Sequence, residues 1–169
     1  MKPERIMFVA ALLLGASIGL SFIHPWGNLR DNAQPEAPLL AGTLVPAEVR
    51  QVFEAKCADC HSEKTHWPVY SVLAPGSWLL ERDVHMGRQH LDLSRWQTYS
   101  RESQVDLLTK IAAEAHNGQM PVKHYLILHP KARLSAAEQQ LIYEWAKAER
   151  KQIRQQLARL PQEPRNDEK

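Results

Sequence analysis

Apolar residues recur at helical rather than strand spacing through most of this 169-residue chain. Val49, Val52 and Phe53 stand three and four apart behind Pro46, which suits the first turn of a helix, and Glu48 suits its positive end. That helix should run into residue 57. A second is predicted over residues 76–89, with Trp78, Leu79 and Val84 turned inward. A third spans residues 101–116, where Val105, Leu108, Ile111, Ala112 and Ala115 draw one stripe and Gly118 offers the stop. The fourth has the clearest start: Ser135, Ala136, Ala137 and Glu138 form a capping box, followed by Leu141, Ile142 and Trp145 on one face. No segment carries a convincing strand or hairpin pattern, so the expected fold class is all-α.

The ends read differently. Lys2 and Arg5 precede an uncharged run at residues 6–23, the positive-then-apolar order of an export signal. Its 18 residues also reach the lower limit for crossing a bilayer. Gly19 and Ser21 make a poor cleavage site, which favours an uncleaved anchor over residues 1–24, with Lys2 and Arg5 cytoplasmic and the remainder outside. Residues 25–45, with Asn, Asp, Gln, Gly and Pro, read as a linker. The folded domain is expected over residues 46–150, a small one whose core gains from a large apolar guest. Past Lys147 the apolar face dilutes, and residues 151–169 read as a polar charged tail.

Candidate chemistry changes the picture at one place. Cys57, Ala58, Asp59, Cys60 and His61 have the spacing of a covalent c-type haem attachment site, and these are the only two cysteines. Two intervening residues let both sulfurs reach neighbouring vinyl groups of one porphyrin, and the adjacent His61 then lies under the iron. A thioredoxin-type pair would want a βαβ context, a zinc site would want a second ligand pair, and a plain disulfide leaves His61 without a role. The net charge of +2 gives no reason to expect a nucleic-acid partner. The sixth iron ligand is the open question. Met120, after the third helix and before Pro121, is the leading candidate, because a methionine suits electron transfer. Met86 and the histidines at 85, 90, 116, 124 and 129 are its rivals, with His85 and His90 ahead of the other histidines. Trp67, Tyr70, Trp78 and Trp96 are candidates to line a haem crevice, and Arg88 to meet a propionate.

The run Cys57 to His61-Ser62, Thr65, Trp67-Pro68, Tyr70-Ser71, Ala74-Pro75, Ser77-Trp78-Leu79, Gly87-Arg88, Leu91, Ser94 and Trp96 resembles the haem-binding domain family of small bacterial c-type cytochromes. Met120-Pro121, Tyr125, Leu128-His129-Pro130, Ala132, Leu134-Ser135 and Trp145 look like its second half. Val69, Asp83 and Asp92-Leu93 depart from the pattern. The resemblance implies a cytochrome c-like helical domain around a single haem c, held by Cys57, Cys60 and His61 with Met120 distal. A periplasmic, membrane-anchored electron carrier is the expected function. Its expected partners are redox proteins, the cytochrome c maturation machinery and the membrane, and a haem enzyme or sensor with an open sixth position is the alternative.

Overall fold

The computed structural model describes residues 2–30 and 38–159. It is all-helical, with no strand among the described residues. In chain order the helices are α1 (Pro3–Leu20), α2 (Ala47–Lys56), α3 (Ala58–His61), α4 (Gly76–His90), α5 (Arg101–His116), α6 (Lys123–Leu128) and α7 (Ala136–Arg159), with 3-10 turns at Val69–Val72, Leu93–Thr98 and Pro130–Ala132. The four periodic stripes fold as α2, α4, α5 and α7, but α4 buries Leu80 and Val84 and leaves Leu79, expected inward, 42% exposed. The single turns α3 and α6 are too short to carry a stripe, so periodicity passed over them. The chain divides into two compact units, one of residues 1–41 and 57–95, the other of residues 42–56 and 96–169.

In the second unit α5 and α7 pack along one another and α2 lies against α7. Val49, Leu108, Ile142, Ala146 and Ile153 are fully enclosed, and Phe53 meets Trp145 edge to face at 5.4 Å. Both helix starts are capped: Ser100 Oγ accepts from the Ser103 N–H, and Ser135 and Glu138 exchange bonds reciprocally. Lys56 Nζ donates to Glu138 Oε2 at 2.8 Å and to the Arg133 carbonyl, tying α2 to the start of α7. Ile153 is buried three residues into the stretch expected as tail, because α7 keeps its inner face as far as that turn. Residues 160–169 of that stretch lie outside the described residues.

The first unit joins α1, α3 and α4. Among the described residues α1 is the one helix long and apolar enough to cross a membrane, and it buries no residue. Its C-terminal end is nevertheless fastened down. Ser21 Oγ accepts from the Ala74 N–H at 2.8 Å, Ser17 Oγ donates to the Ala74 carbonyl, Trp78 Nε1 donates to the Ile23 carbonyl, and His24 Nδ1 meets the buried Glu81 carboxylate at 2.7 Å. Arg30 donates to Ser71 and lies over the Trp67 ring. The segment expected as a linker is thus held at both described ends, since Leu39 and Leu40 are buried and the Leu40 N–H bonds the Leu93 carbonyl. Residues 31–37 of that linker lie outside the described residues.

Candidate functional site

Cys57, Cys60 and His61 lie together on one turn of helix in the first unit. The Cys57 carbonyl accepts from the Cys60 and His61 N–H groups, so the two sulfurs and the imidazole project within one turn of each other. The cysteines are not joined. Burial, then the negative charges of Asp83 and Asp59, push the Cys60 thiol up to about 12 against the pull of Arg88. Among the described residues no three His, Cys, Asp or Glu side chains gather as a metal-ion cluster.

His61 is oriented by backbone. Its Nδ1 lies 3.0 Å from the Leu91 carbonyl, a group that can only accept, so Nδ1 carries the proton and Nε2 keeps its lone pair. Burial lowers the imidazole pKa, and the bonds to the Leu91 and Gly87 backbone act the other way. A neutral imidazole with its rear N–H anchored to a carbonyl is the form that binds a metal through Nε2.

The last turn of α4 forms the wall behind this turn. A Cβ placed on Gly87 would lie 2.4 Å from the Cys60 carbonyl oxygen, so only a glycine lets α4 approach so closely. One residue on, Arg88 donates to the Ser62 carbonyl at 3.0 Å and to Thr65 Oγ1, and pairs with the Glu63 carboxylate at 2.8 Å. Both charged side chains are about nine-tenths buried, at 12% and 8% exposure. Arg88, the sequence candidate for a propionate contact, therefore clamps the loop that leaves His61. Ser62 Oγ donates to the Ala58 carbonyl, Thr65 Oγ1 to the Asp59 carbonyl, and Ser94 Oγ accepts from the Glu63 N–H, so the loop is pinned on three sides.

The aromatic candidates divide. Burial, then the neighbouring Cys60, Asp59 and Asp83, raise the pKa of the Tyr70 phenol. Trp78 and Trp96 spend their indole N–H groups inside the protein, on the Ile23 carbonyl and on Thr43 Oγ1 at 2.7 Å. They hold the frame and have no N–H left for a propionate. Trp67 stacks under Arg30.

Met120 belongs to the second unit. It is 39% exposed in the turn after α5, its N–H directed at the Glu114 carbonyl, and it precedes Pro121. Of its rivals, His116 lies tilted against Tyr143 and His129 stacks on Tyr125, whereas His90 Nδ1 bonds the Met86 carbonyl. Met86 is 43% exposed on α4. Glu63 had no signal as a site residue, and Gly87 and Leu91 entered only as positions within the resemblance, because their roles are made by backbone and by chain return.

A family model described as a haem-binding domain matches residues 15–148, from the last turns of α1 to the middle of α7. No curated protein and no solved structure matches the chain.

Proposed function

Because the chain belongs to the haem-binding domain family, we propose that it is a monohaem c-type cytochrome that carries electrons in the periplasm, held at the inner membrane by α1. The single observation that carries this reading is the His61 imidazole. Its Nδ1 proton is committed to the Leu91 carbonyl and its Nε2 is free to donate, on the same helical turn as two unjoined thiols. This donor set fits a porphyrin that Cys57 and Cys60 would hold through two thioethers and His61 through its imidazole. When bound, the haem supplies one-electron exchange between ferrous and ferric iron.

The chain's own residues supply position and electrostatics. Gly87 lets α4 back the attachment turn, Arg88 and Glu63 fix the loop after it, and the Leu91 carbonyl sets the imidazole's direction and raises its basicity. We assign Met120 as the further residue that would hold the iron, on its place before Pro121 and on its thioether chemistry, which would raise a reduction potential. Electrons would pass to partner proteins in brief encounters over small interfaces.

The test is the visible spectrum of the exported, matured protein in both redox states, together with denaturing electrophoresis. The expected result is one haem per chain that survives denaturation, low-spin in both states and slow to bind carbon monoxide. Haem that is lost on denaturation overturns the thioether assignment. Rapid carbon monoxide binding and peroxide turnover would replace the carrier with a haem enzyme or sensor.

A further inference from the structure

In the loop of residues 69–75, Ser71 and Ala74 are buried, whereas Val69, Val72 and Leu73 are exposed, and Ala74 is bonded to the end of α1. Val69 is 86% exposed, Val72 53% and Leu73 39%, and Phe22, just past α1, is 81% exposed. Isolated exposed apolar residues are ordinary, but here three stand on one short loop that Ser17 and Ser21 hold at Ala74, and Phe22 stands beside those serines in the chain. Several of the loop's backbone groups are bonded within the protein. Ala74 gives its carbonyl to Ser17 Oγ and its N–H to Ser21 Oγ. The Ser71 carbonyl takes Arg30, the Pro68 carbonyl takes the Ser71 N–H and hydroxyl, and the Leu73 and Pro75 carbonyls take the first N–H groups of α4. Pro75 has no N–H to satisfy.

Such an arrangement suits a medium without water, where an unpaired backbone polar group has no solvent to bond. Depth along α1 gives the same answer. Ser17 is three residues, about 4.5 Å at helical rise, short of the helix end at Leu20. The Ala74 carbonyl is thus held at a level that α1 itself fills with an apolar turn. Around this level stand Trp67 and Trp78, with Arg30 stacked on Trp67, the pairing of aromatic ring and basic side chain that marks a membrane–water boundary.

We infer that residues 69–75 form a second membrane contact, a wedge seated in the outer lipid leaflet beside α1, which fixes the attachment turn at the membrane surface instead of leaving it on a free tether. The occupant is lipid because the patch is continuous with α1. The inference rests on the reading of α1 as a retained membrane span. The His24–Glu81 pair marks where the wedge leaves the bilayer, and Gly87 lies six residues further along α4, about 9 Å at helical rise.

The test uses full-length, haem-loaded protein in phosphatidylcholine and phosphatidylglycerol vesicles, with a spin label on one added cysteine at a time: Leu13→Cys within α1, Val72→Cys in the wedge, and Gln89→Cys at the far end of α4. All three positions are exposed, so folding should survive. Collisional access to oxygen, which concentrates in lipid, is compared with access to a water-soluble nickel chelate. Labels at 13 and 72 should favour oxygen at least several-fold, and the label at 89 should favour the chelate. A lipid signal at 13 with an aqueous signal at 72, or with a label at 72 shielded from both probes by protein or porphyrin, overturns the wedge and leaves the anchor standing. Aqueous signals at both 13 and 72 overturn the anchor and the wedge with it.

Discussion

Replacing Gly87 with alanine adds one methyl group at the point where α4 meets the attachment turn. The new Cβ would lie 2.4 Å from the Cys60 carbonyl oxygen, 3.0 Å from its carbon and 3.1 Å from its Cβ, against an ordinary contact of 3.4 Å or more. The nearest atom is backbone, so no rotamer change relieves it. The helices must part by about 1 Å. That movement would stretch the 3.0 Å bond from His61 Nδ1 to the Leu91 carbonyl beyond hydrogen-bonding range. Overpacking costs about 1–3 kcal/mol and the lost bond about 1 kcal/mol. Alanine's better helix propensity returns about 1 kcal/mol, so the net destabilisation is about 1–3 kcal/mol. Denaturant unfolding of the haem-loaded protein, followed by helical circular dichroism and by the haem band, measures it. Gln89→Ala, exposed in the same turn, is the reference and should stay within about half a kcal/mol of the parent. A Gly87→Ala protein as stable as that reference, with an unchanged haem spectrum, would refute the close-approach argument.

Other outcomes follow from the same contacts. Arg88→Met leaves the Glu63 carboxylate buried without its cation and should destabilise the protein by about 3–5 kcal/mol in urea titration; Arg88→Met with Glu63→Gln should recover part of the loss, and no recovery would show that the pair is not the cause. Met120→Ala should lower the reduction potential and speed carbon monoxide binding, read by redox titration and flash photolysis; an unchanged spectrum would remove Met120 from the ligand set. Glu138 has its pKa held below the ordinary 4.5, first by the bond from Lys56 and then by the Ser135 N–H. A depressed folded-state pKa contributes stability above the ordinary value and loses it as pH falls through the folded one. The melting-temperature advantage of the parent over Glu138→Gln should therefore be present at neutral pH and vanish below 4.5; an advantage independent of pH would sink the assignment.

Much of the molecule was legible from local pattern. The stripe of Val105, Leu108, Ile111, Ala112 and Ala115 gave α5 its boundaries, since burying one face of a helix requires that period. The Ser135–Glu138 box located the start of α7 because a capping box is satisfied entirely within one turn. The thiol and imidazole spacing of Cys57, Cys60 and His61 was equally local, five consecutive residues whose chemistry needs no knowledge of the fold. What faces those residues depends on how the chain returns. The Leu91 carbonyl reaches His61 from 30 positions away, Arg88 reaches Ser62 from 26, and Ala74 meets Ser17 from 57. Backbone carbonyls carry no side-chain signature and a glycine tolerates many settings, so neither the orientation of His61 nor the need for Gly87 was readable before α4 was seen behind the attachment turn. The same holds for residues 17–30. Their composition reads as an anchor and a linker, and only hydrogen bonds made across the fold reveal them as part of the unit that carries the cysteines.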